Sequence, residues 1–212
     1  SSAASDVYKR QDFIGEPSLN LLSEQERARY EAMKSARARP QFAHCRAALR
    51  TLLSRYLNQP ADSLTITCVA GEMPVLLGPD ALPFSYSHTH GLGAIAFACD
   101  GAIGIDIERP DPARDYAGIA MRFFSPQEQA EYFAAPLEAR DPAFLRLWTR
   151  KEAVMKAAGV GLRGLSTPIP AEAYRVYSHT EGDAHLALAS ACELRPTLFH
   201  YPAALQPTPE NE

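Results

Sequence analysis

The stretch AIGIDIE, residues 102–108, alternates isoleucine with other side chains at a period of two. This alternation predicts a β-strand that has its isoleucines on one face and Gly104, Asp106 and Glu108 on the other. Two carboxylates on one face can bind a single hard cation, and Gly104 leaves room there for a ligand or another backbone. Taken by itself, the same pattern also describes an ordinary strand with one face in solvent.

Six further segments carry strand patterns. They are rich in β-branched or aromatic residues and are bounded by turn residues, which is typical of short strands. They read LTITC (64–68), PVLL (74–77), FSYS (84–87) and LGAIAFAC (92–99), with two more near residues 173–178 and 185–199. Asp100-Gly101, between LGAIAFAC and AIGIDIE, is a strong hairpin signal, so we expect these two strands to pair.

Helices are predicted before these strands and after AIGIDIE. Ser23 followed by Glu26 is a capping-box pattern, and apolar residues recur at helical spacing between positions 42 and 56. Downstream, Ser-Pro at positions 125–126 is predicted to open a short helix, and Asp-Pro at positions 141–142 a longer one.

The longer helix carries the segment WTRKEAVMKAAG. Trp148, Glu152, Met155 and Lys156 fall on one side of this helix, so a carboxylate and an ammonium group point the same way. The plain alternative is a surface ion pair worth about 0.2–0.5 kcal/mol. In that case Trp148 and Met155 are core residues.

The order of the elements predicts an α+β fold built as two pseudo-duplicated halves, each a small antiparallel or mixed sheet packed with helices. We expect the active site between the halves. We assign residues 1–11 to a non-native scar or a disordered start, 12–110 to the N-terminal half, 111–200 to the C-terminal half and 201–212 to a loose tail.

Composition excludes several classes of protein. The chain has 212 residues, 46% of them hydrophobic, with a formal charge of -4, so it is globular and has no blanket attraction to nucleic acid. Its longest apolar stretch falls far short of the roughly 20 residues that cross a bilayer, so we expect no contact with a membrane. The scattered cysteines predict reduced thiols and a cytoplasmic protein; they are Cys45, Cys68, Cys99 and Cys192.

Four motifs together resemble one known family. GIDIE at 104–108 and WTRKEAVMKAAG at 148–159 are similar to the paired signature of the Sfp-type 4'-phosphopantetheinyl transferases. FSYSHT at 84–89 resembles that family's Phe-x-x-Ser-His segment, and RFFSPQE at 122–128 resembles its Arg-Phe-Phe-Ser-x-x-Glu stretch. Four motifs in the same order are more specific than any one of them.

The resemblance implies an activity. The chain would transfer the 4'-phosphopantetheine moiety of coenzyme A to a serine hydroxyl of an acyl, peptidyl or aryl carrier protein, and would release adenosine 3',5'-bisphosphate. The implied cofactor is Mg²⁺, held by Asp106, Glu108 and Glu152, in keeping with its preference for carboxylate and phosphate oxygens. Glu152 and Lys156 are the implied catalytic residues, with Glu152 or a water on the ion as the base. The family also implies a monomer at this length.

The resemblance assigns eight residues to coenzyme A: Arg29, Arg46, Met73, Pro74, Ser87, His88, Asp106 and Lys156. His88, with Ser87 beside it, is expected at the 3'-phosphate, although a lone histidine is more often structural. Arg46 and Arg29 are expected at the nucleotide end, where the alternative is a solvated helix face. The family's Gly-Lys-Pro is replaced here by Gly-Glu-Met-Pro at 71–74. Either phosphate affinity is lower or another basic residue substitutes.

Carrier docking is assigned to Tyr116, Ile119, Met121 and Arg122. These residues supply apolar and basic contacts for an acidic carrier surface, and the apolar ones could equally belong to the core. Two other classes of function stay open. A hydrolase built on the same carboxylates would release its product without an acceptor, and a silent scaffold would bind partners without chemistry.

Overall fold

The computed structural model describes residues 5–9, 17–36, 38–67, 73–79, 81–161 and 169–200, with the backbone alone at 5–9, 171 and 199–200. The α-helices in these ranges are α1 (Glu24–Ala32), α2 (Ala38–Leu57), α3 (Tyr116–Phe123), α4 (Pro126–Ala134) and α5 (Arg140–Ala157). The strands are β1 (Ser5–Lys9), β2 (Thr65–Thr67), β3 (Val75–Leu77), β4 (Phe84–Thr89), β5 (Leu92–Ala98), β6 (Ile103–Glu108), β7 (Arg175–Glu181), β8 (Ala184–Ser190) and β9 (Thr197–His200).

The described strands form two main sheets and a small ribbon. The N-terminal sheet has the order β4-β5-β1-β9, the C-terminal sheet has the order β6-β8-β7, and β2 pairs with β3. Within these sheets every pair is antiparallel except β1 with β9. This arrangement confirms the predicted α+β class, while the duplication of the two halves stays a prediction.

The core is layered. Helix α2 packs on one face of the N-terminal sheet through residues that include Leu49, Leu53, Ile95 and Phe97. The opposite face of that sheet meets the isoleucine face of β6, in a cluster that includes Ala94, Ala96, Ile105 and Leu188. Helix α5 covers the other face of the C-terminal sheet through Ala153, Ala157, Ala187 and Ala189. The even-numbered residues of β6 therefore face α5.

The predicted hairpin between β5 and β6 is wrong. Gly101 does adopt a left-handed turn conformation, with φ of 76°, but β5 pairs with β4 and β1, whereas β6 pairs with β8. A turn signal is local and cannot specify which distant strand will satisfy a backbone edge. As a result, β6 belongs to the C-terminal sheet, although it lies within 12–110, and β9 returns to the N-terminal sheet.

The expected scar or disordered start at residues 1–11 also differs from the structure. Residues 5–9 form β1, which pairs antiparallel with β5 and parallel with β9. Five residues carry too short a pattern to announce a strand, and neighbours distant in sequence specify it instead. The remaining residues of 1–11 and the predicted tail at 201–212 lie outside the described ranges.

The local signals at the starts of α1 and α4 are confirmed, whereas Asp141 does not cap α5, whose N-cap is Ala139. Ser23 and Glu26 form a capping box on α1, and Ser125 and Glu128 form another on α4. Helix α5 begins at Arg140, one residue before the predicted Asp-Pro start. In the part of the chain that the structure describes, no helix is long and apolar enough to span a bilayer.

Candidate active site

Asp106 lies at the centre of the candidate site, where β6 faces α5. Its side chain is buried, and its Oδ1 accepts hydrogen bonds from Lys156 Nζ and from Ser87 Oγ, each at 2.7 Å. Its Oδ2 is also buried but has no hydrogen-bond partner among the described residues. A buried carboxylate oxygen without a donor is costly, which marks it as an atom suited to a bound cation.

Gly104 explains how α5 reaches Asp106. A Cβ at this position would lie 2.0 Å from Ala153 O and 2.5 Å from Ala157 N, so only glycine lets the helix backbone approach β6 so closely. The approach brings Lys156 over the strand, where its Nζ also donates to Ile105 O at 2.9 Å. Of the two alternatives from the sequence, Gly104 therefore accommodates a backbone and not a ligand.

Glu152 and Glu108 sense the same charge cluster. Desolvation raises the pKa of Glu152 to about 7, the negative charges of Asp106 and Glu108 add to the rise, and Lys156 opposes it. The pKa of Glu108 is raised by desolvation and by Asp106, while Arg114 lowers it. The carboxylates of β6 and α5 thus belong to one electrostatic cluster, and their shared role at a cation stays a prediction.

Neighbouring side chains hold Glu108 loosely. Its Oε1 lies 3.4 Å from Arg114 Nη1, and its Oε2 accepts a hydrogen bond from Thr89 Oγ1 at 3.4 Å. Both contacts are long for hydrogen bonds to a carboxylate. The side chain is therefore free to exchange them for another ligand.

The site fits a hard divalent cation in its chemistry. Asp106, Glu108 and Glu152 supply oxygen donors of the kind that Mg²⁺ prefers, and Asp106 Oδ2 is unpartnered. The pKa values of Glu108 and Glu152 are raised first by desolvation and then by the neighbouring negative charges. No set of three or more His, Cys, Asp or Glu side chains within the described ranges has already converged into a metal site. The carboxylates are adjacent without being at ligand distance from one point.

Ser87 and His88 lie on β4, beside β6. Ser87 contacts the protein carboxylate of Asp106, which the sequence did not predict. His88 is exposed as a residue, but the protein around its imidazole lowers its pKa, first by desolvation and then through the Lys156 ammonium. His88 therefore belongs to the same electrostatic cluster as Lys156 and Asp106.

Arg46 is not on a solvated helix face. It is 2% exposed, and its guanidinium lies 5.6 Å from the ring of Phe42 and 5.0 Å from that of Tyr86. Its Nε is 3.8 Å from Glu26 Oε1, and Nε and Nη1 have no hydrogen-bond partner among the described residues. This arginine therefore carries unused donors beneath the surface of the N-terminal half.

The other residues assigned to coenzyme A lie around α1 and β3. Arg29 is exposed on α1, with its guanidinium 5.2 Å from the Phe42 ring. Met73 is half-buried and Pro74 is buried, immediately before β3. The Gly-Glu pair that precedes Met73 lies outside the described residues.

The docking residues divide between core and surface. Tyr116 is 5% exposed, its ring centroid lies 4.6 Å from that of Phe144, and its hydroxyl accepts a hydrogen bond from Asp111 N. The assignment of Tyr116 to docking is therefore corrected, because an aromatic ring between α3 and α5 is core. Ile119 is half-buried, whereas Met121 is 60% exposed and Arg122 is exposed on α3.

Sequence reasoning missed three residues next to the site: Ser85, Thr89 and the role of Arg114 at Glu108. The first two could have been found, because they alternate with Ser87 along FSYSHT and so share its face. Nothing in the pattern around Arg114 indicates that it pairs with Glu108.

Comparison with known proteins agrees with this geometry. A family model described as the 4'-phosphopantetheinyl transferase superfamily matches residues 102–201, which include β6 and α5. A Synechocystis protein, slr0495, provisionally named a 4'-phosphopantetheinyl transferase, is 35% identical over 75% of this chain and 66% of its own length. The 4'-phosphopantetheinyl transferase HetI of Nostoc is 33% identical over 68% of this chain and 62% of its own length.

The chain thus spans slightly less than two thirds of the length of these two relatives. It covers more of a third relative, the 4'-phosphopantetheinyl transferase Sfp of Bacillus subtilis. That protein is 30% identical over 79% of this chain and 76% of its own length. The resemblance seen in the motifs is confirmed, and the chain belongs to the 4'-phosphopantetheinyl transferase superfamily.

Proposed function

We propose that this chain transfers the 4'-phosphopantetheine moiety of coenzyme A to a serine hydroxyl of a carrier protein and releases adenosine 3',5'-bisphosphate. The observation that carries the proposal is the meeting of Asp106 with Lys156 between β6 and α5. Glu152 lies in the same electrostatic cluster. Family membership and the names of the relatives support the same reaction.

Mg²⁺ is the proposed cofactor, and Asp106, Glu108 and Glu152 would hold it. When bound, the ion neutralises charge on the pyrophosphate oxygens and helps to orient them for an in-line displacement. Lys156 is placed to stabilise the charge that develops on the leaving phosphate, because its ammonium already lies at the carboxylate of Asp106.

Glu152 is the proposed base. In the metal-free protein the pKa of this carboxylate is raised to about 7, which suits a proton acceptor near neutral pH. A bound cation would lower this pKa and weaken the base, so a water is the alternative acceptor of the proton. The serine oxygen attacks the phosphorus that carries pantetheine, its proton passes to Glu152, and the bond to the second phosphate breaks. The products are the phosphodiester on serine and adenosine 3',5'-bisphosphate, so the atoms balance.

The coenzyme is proposed to lie along β4 and toward α2. His88 and Ser87 would contact its 3'-phosphate and pyrophosphate, while Arg29 and the unused donors of Arg46 would serve the nucleotide end. Met73 and Pro74 would contact the nucleotide base of coenzyme A. Phosphate is a strong acceptor for arginine, and Arg46 Nη1 is a donor without a hydrogen-bond partner among the described residues.

The carrier is proposed to dock on α3. Met121 and Arg122 are exposed there, and Ile119 is half-buried beside them. An apolar anchor with a basic neighbour suits a helix that presents a serine among acidic residues.

The test is transfer to an apo-carrier protein, read by mass spectrometry with coenzyme A and Mg²⁺. We expect Asp106→Ala and Glu152→Ala to abolish modification while circular dichroism shows an intact fold, and we expect Glu138→Ala, at an exposed position, to retain it. Full modification by the first two variants would refute the assigned roles. Release of free phosphopantetheine without modified carrier would indicate the hydrolase, and no reaction at all would indicate the scaffold.

A further inference from the structure

Strands β4 and β6 lie side by side but belong to different sheets. Hydroxyl groups take the place of a backbone ladder between them. Ser85 Oγ accepts a hydrogen bond from Ile105 N at 3.1 Å, Ser87 Oγ donates to Asp106 Oδ1 at 2.7 Å, and Thr89 Oγ1 donates to Glu108 Oε2 at 3.4 Å. We call Ser85, Ser87 and Thr89 the hydroxyl seam.

Ser85 is the most deeply buried member of the hydroxyl seam, at 0% exposed. In an antiparallel strand the N–H and C=O of one residue point to the same edge. Ile105 turns both toward the edge of β6 that β8 does not use. Its N–H donates to Ser85 and its C=O accepts from Lys156 Nζ at 2.9 Å. One residue of β6 is therefore held from both halves of the molecule.

Asp106 follows this residue directly. Its Oδ1 is fixed by Ser87 and Lys156, which leaves Oδ2 as the buried oxygen without a partner. The direction of that free oxygen depends on where β6 lies relative to β4, because both anchors of Oδ1 come from other elements. A shift of β6 along or away from β4 would redirect Oδ2.

We infer that Ser85 is a positioning residue for the carboxylate pair, and that its hydroxyl fixes β6 so that Asp106 Oδ2 stays available to a divalent cation. The inference rests on the proposed function, since the cation is the one that the reaction uses. Ser85 itself touches neither substrate nor cation. It acts through the Ile105 amide and the strand that carries both carboxylates.

Ser190 provides a matched control. It is 3% exposed, its Oγ donates to Ala102 O at 3.0 Å, and the same oxygen accepts from Cys192 N at 3.1 Å. Like Ser85, it is a buried serine bonded to backbone at β6. Ser190 is the last residue of β8, however, opposite the first residue of β6, and neither of these hydrogen bonds reaches Ile105 or Asp106. A purely structural role predicts similar behaviour for the two serines.

The experiment compares Ser85→Ala with Ser190→Ala. Mn²⁺ binding is measured by electron paramagnetic resonance with coenzyme A present and no carrier, and thermal unfolding is recorded for each variant. We expect both variants to unfold at lower temperature, but only Ser85→Ala to bind Mn²⁺ about 10-fold more weakly, the low end for loss of a group that orients a metal ligand. If Ser85→Ala folds poorly, Ser85→Cys replaces it in the experiment. Cysteine is close to serine in shape but its sulfur is a weak hydrogen-bond acceptor, so we expect the same loss of Mn²⁺ affinity.

Equal Mn²⁺ affinities in wild type, Ser85→Ala and Ser85→Cys would overturn the role of Ser85. The same loss of affinity in Ser190→Ala would overturn it as well, because the effect would then be general to buried serines. A wild-type protein that binds Mn²⁺ but leaves a carrier unmodified would overturn the proposed transfer. The two failures are separable because Mn²⁺ binding is read without carrier protein.

Discussion

Glu152 concentrates the electrostatics of the candidate site in one side chain. Desolvation, together with the charges of Asp106 and Glu108, raises its pKa to about 7, while Lys156 and Arg114 limit the rise. Like charges held together destabilise the ionised form of the folded protein, unless a cation offsets them. In the metal-free protein, ionisation of Glu152 therefore destabilises the folded state.

The raised pKa of Glu152 predicts that the stability of the metal-free protein depends on pH. Because the folded pKa of Glu152, about 7, lies above the ordinary value of 4.5, the folded state binds the proton more tightly than the unfolded state does. The stabilisation is complete below about pH 4.5 and is lost as the pH rises through 7. We expect Glu152→Gln to gain stability relative to wild type over that interval, measured by urea unfolding in EDTA.

The control for this titration is Glu138→Gln, at an exposed position on the short turn before α5. Its stability should follow that of the wild type at every pH. If Glu152→Gln also followed wild type from pH 4.5 to 8, the three carboxylates would not be coupled as the structure indicates.

At the scale of elements, the contact between β6 and α5 determines the site. The helix brings Lys156 to Asp106 only because Gly104 has no side chain, and the alanines of α5 pack on those of β8. Backbone atoms are the obstacle at this position, and they cannot move aside as the end of a flexible side chain can. The close approach is thus a requirement of the whole interface.

Gly104→Ala tests this requirement. A methyl group 2.0 Å from Ala153 O must displace the helix, and overpacking of this kind typically costs about 1–3 kcal/mol of stability. We expect the folded variant to lose transfer activity beyond what its fraction of unfolded protein explains, because Glu152 and Lys156 move with α5. Urea unfolding and the carrier assay measure the two effects.

Gly182→Ala serves as the comparison. Gly182 lies in the turn between β7 and β8 with φ of 58°, and a Cβ there meets no atom within 4 Å. It should lower stability through backbone strain, by about 1–2 kcal/mol, and leave specific activity unchanged. Full activity in folded Gly104→Ala would show that the helix can reach β6 by another route.

Local signals predicted individual elements well and failed where distant partners decide. Ser23 with Glu26 and Ser125 with Glu128 announced two helix starts, because capping is completed within four residues. The hairpin at Gly101 was wrong because β6 finds its backbone partner in β8, more than 70 residues further along the chain. Strand patterns indicate which residues extend, and not which edge they join.

At the scale of the whole molecule, the carboxylates and α3 indicate where the two proposed substrates would meet. The carboxylates lie between β6 and α5, and α3 follows the loop that brings Arg114 to Glu108. A carrier protein bound to α3 would therefore hold its serine near these carboxylates. Arg114 and Arg122 would both face an acidic partner, so association should weaken as salt rises.

Met121→Glu tests carrier docking. Met121 is 60% exposed, so the change should leave the fold intact, and it places a negative charge against an acidic partner. We expect the KM for carrier protein to rise about 10-fold, equivalent to about 1.4 kcal/mol, with the KM for coenzyme A unchanged. Val75→Glu, at a 52% exposed position on β3, is the control. Equal carrier kinetics in both variants would exclude docking at Met121.

The sequence predicted most of the candidate site but not its supports. Motif spacing identified Asp106, Glu108, Glu152 and Lys156 without knowledge of the fold; Lys156 contacts Asp106 and the two glutamates are coupled to them electrostatically, while their catalytic and metal-binding roles stay predictions. Helical periodicity could not show that Arg46 is buried between the rings of Phe42 and Tyr86. The pattern of apolar residues indicates which face of a helix is buried, and a charged residue is assigned by default to the solvent face. The monomeric state and the cytoplasmic location stay predictions.

The pairing of β1 with β9 has a consequence for folding while the chain is being synthesised on the ribosome. Among the described strands, the edge of β1 that β5 leaves open is closed by residues 197–200, which emerge on the order of 100 residues after β5. At about 5–20 residues per second, that edge waits on the order of 5–20 seconds for its partner. During this interval the nascent chain offers an unpaired strand to its neighbours, so crowded polysomes should be the setting in which it is most prone to misassociate.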